Sequence, residues 1–420
     1  MIRRAVATSF WTLALPGVIA LLIGAGVAYA FPSIFDELDP NTARQAQIVI
    51  LLVSLDLAIS IPGDTFGGVL LGLQRYDLTN ATLIVISISQ AIGWAVVIAT
   101  GGGLVELAVV TVSLSLVGQL SRFVLAVKLI GGVSLAPRNV DRALVKPYAR
   151  LSVWLALTDA SLLVVARVDT IIVGLVAGLP AAGIYAVGQK IPLAVHMVLG
   201  PTTKLFFPYS AELAARREAA ALRGAFLFGS RLSLAIALPL CLTFGVLATP
   251  VLLAWVGRDF ADAAPVVILL LAAVAVWAAT RIGLLLLQGM GEAKVPALIH
   301  AGEAALNVVL SVALGLAFGI TGVALATLIA AVLTNVCVFA PFLCRRFKVP
   351  ARTFVGSIGR AHLPPALIAG AIGLALLTTD PEALPTVAAA TAIVLASYLV
   401  TLALTGASPE ERRRLRSAVR

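Results

Sequence analysis

Long apolar runs separated by short polar stretches recur along the whole chain. Runs long enough to cross about 30 Å of hydrocarbon begin near Phe10, Gln47, Thr79, Leu104, Ser152, Ala182, Phe226, Ala263, Val295, Thr321, Leu363 and Leu384. This pattern predicts an all-α polytopic membrane protein with about twelve transmembrane helices. The longest polar stretches, near Gly131 to Arg150 and Glu212 to Arg231, are too short to fold as domains, so the predicted work takes place within the bilayer. Two runs carry charges in their interiors: Arg167 and Asp169 in one, Lys190 in the next. A charge at the centre of a membrane helix costs about 2.5 to 3.5 kcal/mol on insertion scales, which makes each a functional candidate unless a structural partner answers it.

Composition agrees, with 60% hydrophobic residues, 12% charged residues and a mean hydropathy of +1.06. The formal charge of +10 does not point to nucleic acid, because the basic residues lie between apolar runs and at the C-terminus. With the N-terminus inside, Arg3, Arg4, Arg75, the loop Lys128 to Arg150, Arg216, Arg217, Arg223, Lys294, the loop Arg345 to Arg360 and the tail Arg412 to Arg420 share one side. The other side holds Arg44 and Arg258 with Asp36, Glu37, Asp39, Asp259, Asp262, Asp380 and Glu382. The positive-inside rule then predicts a multi-pass protein of the cell membrane with both termini cytoplasmic. Ala211 to Arg223 and the tail read as interfacial basic segments against anionic membrane lipids, or simply as topology signals. Cys241, Cys337 and Cys344 have no metal-ligand spacing and read as packing residues. No small-residue cleavage site follows the first run, so that helix is expected to stay.

An internal repeat is present. Ile48 to Val53 resembles Val266 to Leu271, the turn at Gly72 resembles that at Gly289, and the turn at Gly102 that at Gly319, at offsets of 217 or 218 residues. Three matches in order at one spacing indicate a duplicated unit. The offset spans six helices, an even number, so the copies are expected to be parallel repeats related by an axis along the membrane normal. Residues 149–208 would pair with positions before residue 1. The expected organisation is an incomplete N-lobe of four helices (1–130), a cytoplasmic linker (131–150), a complete C-lobe of six helices (151–348), and a C-terminal helix pair with a basic tail (349–420).

Four stretches carry a family resemblance: Arg167-Val168-Asp169-Thr170-Ile171-Ile172-Val173-Gly174, Ala182 to Ile191, Leu287-Gln288-Gly289-Met290-Gly291-Glu292-Ala293-Lys294, and Phe318 to Thr327. They resemble the polysaccharide-biosynthesis flippases of the multidrug/oligosaccharidyl-lipid/polysaccharide exporter superfamily. The resemblance implies two six-helix lobes around a central cavity. It also implies export of undecaprenyl-diphosphate-linked oligosaccharide by alternating access. Against that pattern the chain begins at the third helix, through a misassigned start or as a short form.

The candidate site follows from polar residues inside the runs. Arg167 lies about 22 Å along the fifth helix and Lys190 about 12 Å into the sixth, placing both in the outer half of the membrane. Arg167 and Asp169, two residues apart, point to different faces. Asp169 is expected to tie the hairpin through Lys190 while Arg167 meets an anionic headgroup; the alternative is a single structural ion network, or Lys190 snorkelling outward. Tyr185, Gln189, Pro192, His196 and Thr203 form a polar stripe on the sixth helix, and Glu303, Asn307 and Ser311, with His300 a turn earlier, form one on the ninth. Such stripes line a wet cavity or hydrogen-bond between helices. The substrate-binding candidates are Arg167, Lys190, Gln189, Tyr185, His196, Arg281, Glu303 and Asn307. The repeat makes Asp64 the equivalent of Arg281, and the two are expected to form an inward gate; alternatively Arg281 binds diphosphate and Asp64 pairs within its own lobe.

No nucleotide-binding loop or metal cluster is present, and no cofactor is expected. The function expected is that of a secondary transporter, a flippase. Its partners are a lipid-linked anionic oligosaccharide, membrane lipids and a coupling ion (H+ or Na+). The alternatives are a cation-coupled multidrug exporter using Asp56 and Asp64, a polysaccharide polymerase or ligase, and a non-transporting truncated homologue.

Overall fold

A computed structural model describes residues 2–34, 39–132, 135–379, 381 and 383–405. The acidic residues Asp36, Glu37, Asp380 and Glu382 and the basic tail of 412–420, used above to orient the chain, lie outside the described residues, as does the side chain of Arg3. The described residues are helical, without a strand. Among the described residues eleven helices are long and apolar enough to cross a membrane, and the protein is a multi-pass membrane protein.

The chain divides into two compact units, residues 1–152 and 153–420. The first contains α1 (Ile2–Ile34), α2 (Pro40–Gly72), α3 (Tyr76–Ala99) and α4 (Leu104–Ile130). Asp39 caps α2, its carboxylate accepting from the backbone N–H groups of Asn41 at 2.8 Å and Thr42 at 3.2 Å, with Pro40 at the first helical position. The Thr42 hydroxyl and these amides hold the Asp39 carboxyl below the usual carboxylate range. Glu106 reaches back 2.8 Å to the Gly103 N–H at the start of α4. The core sits at one end, where Phe66 packs between Phe10 and Phe123 at ring separations of 6.0 and 4.9 Å. Along α1 and α2 the backbones approach closely enough that a Cβ on Gly24 would overlap the Ser54 side chain. Inside a bilayer, where burial against lipid gives little, such close van der Waals approach is what holds helices together.

The helix α5 (Arg142–Ala177) begins in the first unit and carries the chain into the second. There it is followed by α6 (Leu179–Lys204), α7 (Phe206–Ala215), α8 (Ala219–Val246), α9 (Ala248–Val256), α10 (Ala264–Gly289), α11 (Lys294–Ala331), α12 (Ala340–Arg346), α13 (Ala351–Leu377) and α14 (Leu384–Thr405). A π-helical stretch, Val332–Phe339, joins α11 to α12. The core runs along α10, whose faces are covered by α6 and α8. The rings of Phe226, Phe347 and Phe354 stack beside it at 4.9 and 5.0 Å. The pair α13–α14 is anchored to α8 by His362, whose ring nitrogens lie 3.1 Å from the Tyr398 hydroxyl and 3.1 Å from the Arg231 carbonyl.

The long element Lys294–Arg346 holds two crossings. At 1.5 Å per residue its 53 residues would far exceed the bilayer, and the helix breaks at Gly319 (φ 61°, ψ −141°), a conformation open essentially to glycine alone. The Asn307 amide donates to the Thr327 hydroxyl at 2.9 Å. Twenty residues of straight helix would hold these about 30 Å apart, so α11 folds back on itself at Gly319. Every one of the twelve apolar runs is therefore a helix.

The repeat is also written in the backbone. Left-handed residues stand at Gln74 and Gly291, at Gly101 and Gly319, and at Gly131 and Lys348, pairs separated by 217, 218 and 217 positions. Within the first unit Gln90 donates to the Thr111 hydroxyl at 3.5 Å across α3 and α4. The Asn307–Thr327 bond is its counterpart in the second.

Candidate functional site

A cavity of about 560 Å³ opens in the second unit among α5, α6, α10 and α11. Arg167, Lys190, Gln189, His196, Arg281 and Glu303 line it, six of the eight substrate-binding candidates. Asp169, Thr170 and Thr327 also border it, and apolar wall comes from Leu162, Val165, Leu193, Leu270 and Val274. The hairpin of α5 and α6 turns at Gly178 (φ 88°), which brings the interior charges of both helices to one space. Arg167 and Lys190 are exposed, and neither has a hydrogen-bond or ion-pair partner among the described residues. Arg281 on α10 lies with its guanidinium carbon 4.7 Å from the Trp277 ring centre, a cation–π contact, and feels the Asp159 carboxylate of α5. The other contact to Trp277 is the His196 ring, edge-on at 4.7 Å.

Several expectations are corrected. Asp169 does not tie the hairpin to Lys190. It is fully buried and accepts hydrogen bonds from Tyr185 at 3.0 Å, Thr327 at 2.6 Å and Ser311 at 3.2 Å. The physical reason is angular: Asp169 is about 200° around α5 from Arg167, so when Arg167 faces the cavity Asp169 turns into the packing against α6 and α11. The hairpin is tied by the Tyr185–Asp169 bond and by Gln189, whose side chain accepts from the Thr170 hydroxyl at 3.0 Å and donates to the Ala166 carbonyl at 3.4 Å. Tyr185 and Asn307 do not reach the cavity wall; both are 0% exposed and lie behind it, one bound to Asp169 and the other to Thr327. Helix-to-helix bonding, the alternative reading of the polar stripes, therefore describes Tyr185, Asn307 and Ser311, while Gln189, Pro192, His196 and Glu303 line the cavity.

Asp64 of the proposed gate is engaged within the first unit, 3.5 Å from Arg122 Nη1 and 3.4 Å from the Gln119 amide nitrogen. That is the arrangement expected if Arg281 is left to a ligand. The structure adds Trp277, Thr170, Thr327 and Asn335 to the sequence candidates in and behind the cavity. For Trp277 the signal was available, since it stands one turn before Arg281 on the same face. Thr327 and Asn335 are polar residues inside an apolar run, the same signal that marked Glu303.

Two groups of the cavity can act on ligands. The cations Arg167, Lys190 and Arg281 suit an anion, and the guanidinium groups suit bidentate phosphate contacts. Asp169 gathers three hydroxyls around one carboxylate, an oxygen-rich nest that suits a proton or a hard monovalent cation. Among the described residues no cluster of His, Cys, Asp and Glu has the makings of a metal centre.

Residues 3–265 match the sequence profile of a family described as polysaccharide biosynthesis protein. An uncharacterized membrane protein, EpsK, of Bacillus subtilis (strain 168) is 27% identical over 222 residues, which is 52% of this chain and 44% of that protein; the match thus spans less than half the relative's length. Among solved structures, a multidrug resistance MATE family transporter of the MOP superfamily in an outward-facing conformation superposes with a TM-score of 0.65 at 15% identity, over 82% of this chain and 83% of that one. A MOP superfamily transporter from Pyrococcus furiosus gives 0.66 at 15% identity with the same coverage. The lipid II flippase MurJ in an inward closed conformation gives 0.64 at 14% identity, over 99% of this chain and 85% of that one. The chain has the MOP-superfamily transporter fold and belongs to the polysaccharide biosynthesis protein family.

Proposed function

We propose that the protein is a flippase-type secondary transporter that moves undecaprenyl-diphosphate-linked oligosaccharide from the inner to the outer leaflet for cell-surface polysaccharide synthesis. The observation that carries this reading is the charge of the cavity. Three cationic side chains, two of them without a partner among the described residues, face a space that also holds the carboxylates of Asp169 and Glu303 and is walled largely by apolar groups. An unanswered cation at membrane depth is costly; a diphosphate drawn into the cavity offsets that cost, and the apolar wall accepts the adjoining prenyl chain. Arg281 is held extended over Trp277, so the ligand need not order it, which lowers the entropic cost of binding.

In this reading Arg167, Lys190 and Arg281 hold the diphosphate, while Gln189 and His196 border it. Asp169 is the carboxylate that takes the coupling ion, H+ or Na+. Rocking of the two lobes alternates access, and the protein sits in the cell membrane with both termini cytoplasmic. A charge swap between Asp64 and Arg281 that rescued the single variants would restore the gate reading. A multidrug exporter for cationic compounds is disfavoured by the same three cations. An enzyme of the polymerase or ligase kind would need a sizeable outward loop for its sugar chemistry.

The test is reconstitution in vesicles with a fluorescent short-chain prenyl-diphosphate sugar, whose movement is read by quenching of the outer leaflet. Faster exchange than in protein-free vesicles, abolished in the triple Gln variant of Arg167, Lys190 and Arg281, is the expected result. Equal rates in wild-type and protein-free vesicles would sink the proposal.

A further inference from the structure

Beside the cavity lies a buried chain of polar groups that neither diphosphate binding nor the Asp169 nest uses. His300 Nδ1 is 2.8 Å from Glu303 Oε2 on α11, Glu303 Oε1 accepts from the Asn335 amide at 2.9 Å, and Asn335 Oδ1 accepts from the Thr280 hydroxyl of α10 at 2.8 Å. His300, Glu303, Asn335 and Thr280 are 1%, 4%, 1% and 3% exposed. Asn335 sits in the π-helical stretch, an irregularity that recurs at functional sites. Only Glu303 of the four reaches the cavity.

The fold does not require this chain. At the repeat offset of 217, the positions of His300, Glu303, Asn335 and Thr280 in the first unit are Leu83, Ile86, Gly118 and Gly63, none of which carries a side chain able to hydrogen-bond. Buried ionisable groups within the membrane are expensive and are retained where they act on charge.

A 2.8 Å contact between an imidazole nitrogen and a carboxylate oxygen needs a proton between them. The pair therefore exists in two forms. One proton on Nδ1 with an ionised Glu303 gives a net charge of −1, leaving Nε2 as a bare lone pair; a second proton makes the pair neutral. Nε2 is buried with no hydrogen-bond partner among the described residues, so the second proton is not blocked by an existing donor. The charged and titratable groups facing Glu303 across the cavity are Arg281 on α10, Lys190 and His196 on α6, and Arg167 and Asp169 on α5. An anion drawn to Arg167, Lys190 and Arg281 adds to the cavity a charge of the same sign as an ionised Glu303.

We infer that the His300–Glu303 pair is a proton-binding site that loads one proton when an anionic ligand enters the cavity. The inference rests on the diphosphate reading of that cavity. By linkage the effect is reciprocal: the loaded pair binds the anion more tightly, and loss of the proton releases it. A negative charge about 10 Å away at an effective dielectric near 20 raises the proton affinity of the pair about tenfold, and a diphosphate carries two such charges.

The probe is a water-soluble short-chain dialkyl diphosphate, which has no titration near neutral pH, so a proton taken up belongs to the protein. Binding to the purified full chain in micelles is followed by calorimetry in buffers of differing ionisation enthalpy. Wild-type protein is expected to take up a proton on binding, with affinity falling up to tenfold per pH unit above the titration of the pair. Glu303→Gln is expected to take up none and to bind equally well across that pH range, and His300→Gln to lose the uptake as well. His362→Gln, outside the cavity lining, is expected to retain it. Uptake that survives in Glu303→Gln, or disappears in His362→Gln, overturns the inference, as does wild-type binding without uptake; in each case the diphosphate reading stands. Failure of the probe to bind the wild-type protein overturns both.

Discussion

The Thr327 hydroxyl carries the largest testable share of the buried network behind the cavity. It donates to Asp169 Oδ2 at 2.6 Å and accepts from the Asn307 amide at 2.9 Å. Thr327→Val keeps the volume and removes both bonds. In soluble proteins a hydrogen bond to a charged group contributes about 1.5–3 kcal/mol and a neutral one about 0.5–1.5 kcal/mol. Interhelical bonds within membranes average about 0.6 kcal/mol with a maximum near 1.7, because the separated helices find other partners. Two bonds on the membrane scale, one of them short and to a carboxylate, give a loss of about 2 kcal/mol, roughly thirtyfold in the unfolding equilibrium. Tyr185→Phe removes one bond to the same carboxylate oxygen and is expected to cost about 1 kcal/mol. Because both bonds converge on Asp169 Oδ2, the double variant should differ from the sum of the singles by at least about 0.5 kcal/mol. The assay is reversible unfolding in mixed micelles with increasing dodecyl sulfate. A Thr327→Val protein within about 0.3 kcal/mol of wild type, or strict additivity in the cycle, would refute the placement of Asp169 at the centre of this network.

Gly319→Ala places a Cβ on a residue at φ 61°, ψ −141° and should cost about 1–3 kcal/mol in the same unfolding assay. Single Gln replacements of Arg167, Lys190 and Arg281 should each weaken binding of the dialkyl diphosphate about 10- to 100-fold, as loss of a charge-assisted contact does, and calorimetry reads this directly. Glu292→Ala removes the ion pair with Arg346, whose side chains are 42% and 38% exposed; the cost should stay below about 1 kcal/mol and shrink further in high salt.

The crossings were legible in the sequence because a membrane helix is set by length and apolarity alone, and the repeat was legible because its turns demand particular residues. Gly319 and Gly291 show why: both stand at positive φ, where few residues are tolerated, so their spacing survives as letters. The facing of single side chains was less legible. Tyr185 and Gln189 are four residues apart on one stripe, yet one is buried against Asp169 and the other lines the cavity. Periodicity assigns a face to within about a third of a helix turn, whereas the border between a packed seam and a cavity wall is narrower than that. The partners of Asp169 are hard to read from the sequence for a related reason. Lys190 is nearer in the linear hairpin, but Thr327 and Ser311 approach from α11, more than 140 positions away, and no local pattern announces them.

The two units separate what the fold requires from what the ligand chemistry requires. Both copies brace a helical hairpin with an amide-to-threonine bond, Gln90 to Thr111 in one and Asn307 to Thr327 in the other. In the second copy that threonine also bonds Asp169, whereas in the first it accepts from the Trp94 indole at 3.1 Å. The bond itself is therefore scaffold, and the carboxylate beside it is an addition. The same comparison separates Arg281 from its repeat position Asp64. One is carried over Trp277 into a cavity, and the other is spent on Arg122 and Gln119 within its own unit. A duplicated scaffold with opposite charges at matching positions cannot bind the same ion in both halves. An anionic ligand is thus expected to engage the second unit through its cations, and variants of Asp56 or Asp64 should alter diphosphate affinity less than any of the three cation variants.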